Sequence, residues 1–238
     1  MSTPSLTTTS YAVLGLLSVK PWSSYELTQQ MDRSLSRIWP RAVSKLYEEP
    51  KKLVSYGLAS ASTERTGRRA RTVYTITAEG RHALAEWLHE PGGGPSLEFE
   101  HLLKVFFAEN GTKSDLMATL AAAEAWARAR CAESLAVGEQ YDEGTGPFPG
   151  RLPELQLVSR FLTDFYVLVG QWASWAASIA ETWPDDPRQA KPDPDVITET
   201  VRRAAAGASA PPAPLVTKSA GQLTSDATGS RARQPRTS

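Results

Sequence analysis

Cysteine is almost missing from this chain. Cys131 stands alone, so no internal disulfide and no cysteine-based metal cluster can form, which fits a reducing cytoplasm. Histidine is nearly as scarce. His82, His89 and His101 are the only three, and none has a partner at metal-ligand spacing. A glycine-rich phosphate loop and a recognisable Ser-His-Asp arrangement are also lacking. These absences leave no catalytic residue, no metal and no cofactor, so the chain does not read as an enzyme. Cys131 lies in an alanine-rich segment and reads as a packing residue. The opening MSTPSLTTTS has neither the basic nor the apolar region of a signal peptide. Long hydrophobic runs are lacking as well. The stretch FLTDFYVLVGQWASWAASIAETW comes nearest, but it carries Asp164 and Gln171 and reads as a buried helix rather than a membrane span.

The chain lacks net charge too, with 26 Lys and Arg against 26 Asp and Glu. The balance hides a segregation. Residues 37–71 hold nine basic against three acidic residues, a surplus of +6, whereas residues 92–187 hold six against fourteen, a deficit of −8. A basic patch ahead of an acidic region points to a polyanionic partner.

What is present divides into three: residues 8–91, residues 95–183, and a tail, 185–238, rich in Ala, Pro, Ser, Thr and Gly. The tail has too few large apolar residues to fold and is expected to be disordered. The first part opens with a short helix, SYAVLGLLSVK, whose Val13, Leu14, Leu16 and Leu17 make an apolar side. Ser23 and Glu26 then form a capping-box pattern, and Leu27, Met31 and Leu35 recur every fourth residue along a second helix. A third helix is expected from Pro40 to Gly57. Val43, Leu46, Leu53 and Val54 line its buried side, while Arg41, Ser44, Lys45 and Glu48 lie on the exposed side. Pro50 predicts a kink or short interruption. Two short strands, LASAST and RTVYTIT, follow. Thr77 caps a fourth helix with Leu84, Trp87 and Leu88 on its apolar face. PGGGP marks a boundary.

Three helices, a strand, a loop, a strand and a helix make the layout of a winged helix-turn-helix. Four arginines, Arg65, Arg68, Arg69 and Arg71, would then crowd the tip of the wing. Such a fold sends one helix into the DNA major groove, and Arg41 and Lys45 stand four residues apart near the start of that helix. The wing arginines suit phosphate or narrow minor-groove contact. Tyr25, Tyr47 and Tyr74 have two readings, either as hydroxyl donors to phosphate or as core aromatics with a wet tip.

These residues resemble the PadR family of transcriptional regulators. The resemblance covers about residues 10–90. It rests on YAVLGLLSVKPWSSYEL, the Tyr25-Glu26 pair, Leu46-Tyr47, Gly57-Leu58 and RTVYTITAEG followed by LAEWL. Ser23-Ser24 stands where the family often has His-Gly, and Ser44-Lys45 where it often has Gly-Ser. The resemblance implies a homodimer that binds a palindromic operator, usually to repress, with a C-terminal region like the family's Vir type. Part of the family binds small aromatic molecules between aromatic side chains, and Trp126, Trp172 and Trp175 would serve that use here. The competing reading is packing in the core or an interface, the usual role of aromatic stripes at helical spacing.

The second part agrees with a helical dimerisation domain. Leu102, Leu103, Phe106 and Phe107 are followed by a long alanine-rich helix capped by Ser114, with Met117, Leu120 and Trp126 inward. Its last helix, with Val158, Phe161, Leu162, Phe165, Tyr166, Val169, Trp172, Trp175, Ile179 and Trp183, is apolar around more than half its circumference, as a subunit interface requires. The expectation is a mainly α, cytoplasmic, dimeric regulator of operator DNA. Its alternatives are a winged-helix protein-interaction module and a small-molecule sensor that does not bind DNA.

Overall fold

The computed structural model describes residues 5–40, 47–66 and 69–209, apart from the side chains of Thr66 and Arg69. The chain divides into two compact units, Met1–Ser96 and Leu97–Ser238.

The first unit begins with α1 (Thr8–Val19), capped by Thr7, whose hydroxyl accepts from the Ser10 amide. Val13, Leu14 and Leu17 are its fully buried stripe. Lys20 and Pro21 end the helix, and the indole of Trp22 donates to the Leu16 carbonyl at 2.8 Å, satisfying one of the carbonyls the helix end leaves open. Trp22 and Ser23 form β1, and Ser23 is at once the cap of α2 (Ser24–Ser34). The capping box is the one its sequence predicts. The Ser23 hydroxyl accepts from the Glu26 amide, and Glu26 accepts from the Ser23 amide at 2.9 Å. Leu27 and Met31 are buried, as their spacing requires.

Of the predicted third helix, residues 41–46 lie outside the described residues, Val43 and Leu46 among them. Tyr47 and Glu48 form a turn, and α3 (Glu49–Ser55) starts with Pro50 in its first turn. The interruption expected at Pro50 is therefore a helix start, where the missing N–H costs nothing. Leu53 fills the core. Gly57, at φ +73°, ends α3, with Leu58 donating to the Leu53 carbonyl and Gly57 to that of Val54. This is the paired bonding of a Schellman stop.

β2 (Ala59–Thr66) and β3 (Arg69–Ile76) pair antiparallel. The two-stranded wing belongs to a sheet of three strands, because β1 joins β3 at its base, with Trp22 opposite Tyr74 and Ser23 opposite Val73. A two-residue strand carries no period for the sequence to reveal. Val73 is buried along with Tyr74 and Ile76, so both faces of this end of β3 are covered. α4 (Ala78–His89) is capped by Thr77. Its predicted apolar face is not buried within the unit. Leu84 is half-buried, Leu88 is exposed, and Trp87 stacks on Tyr11 of α1 with ring centroids 5.0 Å apart.

The second unit contains α5 (Glu100–Phe106), α6 (Lys113–Asp142), α7 (Leu152–Ala180) and α8 (Pro194–Ser209). The cap of α6 is Thr112, not Ser114. Its hydroxyl and the Asp115 carboxylate exchange bonds with each other's amides, and that reciprocal pair takes the cap from a serine two residues on. α6 and α7 run antiparallel, with Leu120 near Ala180 at one end and Trp126 near Tyr166 further along. Small residues set their approach: a Cβ on Gly170 would sit 3.4 Å from that of Ala127. Lys113 closes the pair, its ammonium donating to the carbonyls of Glu181 at 2.6 Å and Trp183 at 2.8 Å. Among the described residues, no helix is long and apolar enough to cross a membrane.

The tail expected to be disordered from Asp185 onward departs from that reading as far as Ser209. Local chemistry accounts for α8: Asp193 accepts from the Asp195 amide, and Glu199 holds Arg202 and Arg203 one turn on, each at 2.7 Å. It buries no residue, so these contacts and its run of alanines favour the helix without a core. Residues 210–238 lie outside the described residues.

Candidate nucleic-acid interface

The predicted contact residues that are described fall on α2, the turn before α3, and the two wing strands β2 and β3. Arg41, Ser44, Lys45 and Arg68 lie outside the described residues, and of Arg69 only the backbone is described, opposite Thr66 at the hairpin end. Tyr25 sits on the first turn of α2, 66% exposed, its hydroxyl accepting from Gln29 at 2.8 Å. Tyr47, 58% exposed, stands in the turn before α3. Both tyrosines keep a hydroxyl available to a phosphate. Tyr74 does not. At 4% exposure it packs inside, because its position opposite Trp22 and Ala61 turns it toward the core. Tyr74 is therefore withdrawn from the contact set.

The wing arginines do not share one face. Side chains alternate along a strand, so Arg65, paired with Ala70, lies on the Tyr74 and Ile76 face of the ribbon. Arg71, paired with Glu64, lies on the other. Arg65 is exposed and meets no carboxylate among the described residues. Arg71 meets two: one nitrogen lies 3.0 Å from Glu64 across the ladder, and another 3.4 Å from Glu26 on α2. The hydrogen bond to Glu64, then the charge of Glu26, push the Arg71 guanidinium above its usual range. Glu26 is held below the usual carboxylate range chiefly by the Ser23 hydroxyl and amide, with Arg71 adding to it. The partnership of Arg71 with Glu26 spans 45 residues of sequence and leaves no local pattern by which it could be found.

In the second unit the three tryptophans do not line one pocket. Trp126 and Trp172 flank Phe99, with centroids at 6.3 and 5.8 Å, and Trp172 packs on the Leu116–Leu120–Ala180 cluster. Trp175 lines a separate open groove of about 660 Å³ between α6 and α7, with Glu124, Arg128, Tyr166 and Gly170. Spacing on one helix could not have told these sides apart. Among the described residues, no cluster of His, Cys, Asp or Glu is placed to hold a metal ion.

Comparison with known proteins matches residues 13–86 to the family described as "Transcriptional regulator PadR-like family". The chain is 33% identical over 100 residues to the negative transcriptional regulator PadR of Bacillus subtilis, covering 41% of this chain and 54% of that protein. It thus spans about half the length of that curated relative. The solved structure of Bacillus subtilis PadR in complex with operator DNA superposes with a TM-score of 0.63 at 22% identity, covering 73% of this chain and 99% of that one. The same protein in complex with p-coumaric acid gives 0.59 at 20%, covering 74% and 99%. At these identities the superpositions establish a common fold. They agree with the mainly helical architecture, the winged N-terminal unit and the C-terminal helices. The family is one of transcriptional regulators rather than enzymes. The fold built from α1 to α4 and the match across 13–86 together make the N-terminal unit similar to the PadR-like family of transcriptional regulators.

Proposed function

We propose that the protein is a cytoplasmic, homodimeric, sequence-specific DNA-binding regulator that represses by occupying a palindromic operator. The observation that carries this reading is the wing: a two-stranded arm bearing Arg65 and Arg69 next to Arg68, on the same unit as exposed Tyr25 and Tyr47. Charge at such a hairpin replaces condensed counterions along the phosphate backbone. A relative solved in complex with operator DNA supports it. In this reading Arg41, Ser44 and Lys45 meet the major groove, and the wing arginines meet phosphates.

The dimer reading rests on unburied apolar surface. In the second unit Phe106 is 74% and Leu157 75% exposed, and Phe161 and Leu168 of α7 are also bare. Leu157, Phe161 and Leu168 recur at helical spacing on α7, and an unburied apolar stripe of this kind supports an interaction surface. A dimer would set its two reading heads on half-sites roughly 34–36 Å apart, or a multiple of that. Release by a small aromatic molecule is the remaining part of the proposal. The p-coumaric acid complex of the relative supports it, and in this reading the groove holding Tyr166 and Trp175 would take the flat ligand.

The test is a salt titration of binding to the DNA upstream of the chain's own gene, set against scrambled DNA of the same length. The expected result is a preference for the upstream sequence, with log K falling linearly against log salt. Removing Arg65, Arg68 and Arg69 together should make that slope shallower by roughly 0.9 per lost phosphate contact. Equal binding to both DNAs, with a slope the triple variant does not change, would overturn the reading.

A further inference from the structure

Among the wing arginines whose side chains are described, Arg71 is the one that reaches two other elements. Its guanidinium lies 3.0 Å from Glu64 Oε2 on β2 and 3.4 Å from Glu26 Oε1 on α2. The two oxygens of Glu26 have separate duties. Oε2 accepts the Ser23 amide at 2.9 Å and the Ser23 hydroxyl at 2.6 Å, and Oε1 faces Arg71. Ser23 itself is paired with Val73 in the sheet. A closed chain of contacts therefore runs from wing to arginine, to the cap of α2, to β1, and back to the strand that carries the arginine. A planar guanidinium, with five donors in a rigid fork, can bridge two carboxylates in this way, and an ammonium cannot hold the same two directions.

We infer that Arg71 is a positioning residue, which fastens the wing to the N-terminal turn of α2 and so fixes where the wing points relative to Tyr25 and the helices behind it. This role rests on the proposed DNA-binding reading, and it removes Arg71 from the set of phosphate contacts. A guanidinium already paired with two carboxylates has little charge left to displace counterions. Its contribution is geometric: a wing held at one angle fits one DNA register, and a loose wing accepts many.

The two roles separate in a salt titration. Arg71→Ala, Arg71→Lys and Glu64→Ala are measured on upstream and scrambled DNA, with Arg68→Ala as the reference for a lost phosphate contact. The expected result is that Arg71→Ala keeps the wild-type slope while the ratio of specific to non-specific affinity drops roughly two- to five-fold. Arg71→Lys and Glu64→Ala should drop that ratio to a similar extent, and Arg71→Ala with Glu64→Ala should be no worse than either alone. Arg71→Lys keeps the charge and the aliphatic stem, so it guards against an Arg71→Ala variant that fails to fold. A slope shallower by roughly 0.9 in Arg71→Ala, restored by Arg71→Lys, makes Arg71 a phosphate contact and overturns the inference. Wild type binding both DNAs alike overturns the DNA-binding reading itself. That outcome shows in wild type before any variant is measured.

Discussion

Gly80 offers the sharpest test of the packing in the winged unit. It lies in the first turn of α4, and its amide donates to the Thr77 hydroxyl at 3.1 Å. A Cβ at this position would sit 2.0 Å from the Leu58 carbonyl oxygen and 2.9 Å from Ile76 Cγ1. The obstacle is backbone, and that backbone is pinned. The Leu58 carbonyl accepts the Thr77 amide at 3.1 Å, and the Thr77 hydroxyl donates to the Gly57 carbonyl at 2.7 Å. Relief requires α4 to lift off the root of the hairpin. Overpacking of a filled site costs about 1–3 kcal/mol, and a clash with pinned backbone belongs at the upper end. Alanine returns about 1 kcal/mol through helix propensity, leaving Gly80→Ala about 2 kcal/mol destabilised. Gly15, in the middle of α1, has nothing within 4 Å of its virtual Cβ. Gly15→Ala should therefore stabilise by about 0.5–1 kcal/mol. Thermal unfolding of the full chain, followed by near-ultraviolet circular dichroism, reads both. At about 4–8 °C per kcal/mol for a domain of this size, the winged unit's transition should fall by roughly 8–16 °C in Gly80→Ala and rise by several degrees in Gly15→Ala. Equal midpoints for Gly80→Ala and wild type would refute the close approach of α4 to Leu58.

Three further outcomes are expected. Lys113→Met removes both hydrogen bonds to the end of α7 and should cost the helical unit about 1.5–3 kcal/mol, seen as a lower urea midpoint at unchanged m-value. Ser10 is buried and donates its hydroxyl to buried Glu49, so Ser10→Ala strips a donor from an enclosed carboxylate and should cost about 1–3 kcal/mol by the same measurement. Glu26, with a folded pKa below 4.5 chiefly through Ser23, adds stability that is fully present above pH 4.5 and disappears as pH falls through the lower folded value. Its carboxyl carbon, followed by NMR, should titrate below 4.5 in wild type and move up toward it in Ser23→Ala; an unmoved midpoint would show that the Ser23 hydroxyl is not the chief cause and leave the depression to the Ser23 amide and Arg71.

The sequence revealed features whose causes are local. Ser23 with Glu26, Thr77 with its helix, and the Gly57 stop each need only a few neighbouring residues, and each forms as its pattern predicts. Pro50 was equally readable as a break. Features set by distant pairing were not. Trp22 joins the sheet because β3 passes beside it, and that pairing decides that Tyr74 is core and not contact. Arg65 and Arg71 look alike in a basic run, and only the register puts Arg71 and not Arg65 on the side of Glu26 and Glu64. The three tryptophans share a composition argument, but Phe99 draws two of them to a side that Trp175 does not face. Thr112 takes the cap of α6 because Asp115 lies three residues on, a local pattern that outweighs Ser114.

The register of the wing also says which length changes this lineage can absorb. β3 is fixed at its base by Trp22 opposite Tyr74 and by Ala59 opposite Ile76, while its far end pairs only with β2. One residue added to each strand beyond Glu64 and Arg71 lengthens the arm and leaves every pairing at the base in place. A single residue added to β3 between Arg71 and Tyr74 reverses the facing of everything beyond it. Arg71 would then turn away from Glu26, and Ala70 would take its side of the ribbon. Relatives should therefore vary in wing length by matched increments at the tip, with the four positions from Arg71 to Tyr74 kept at constant spacing.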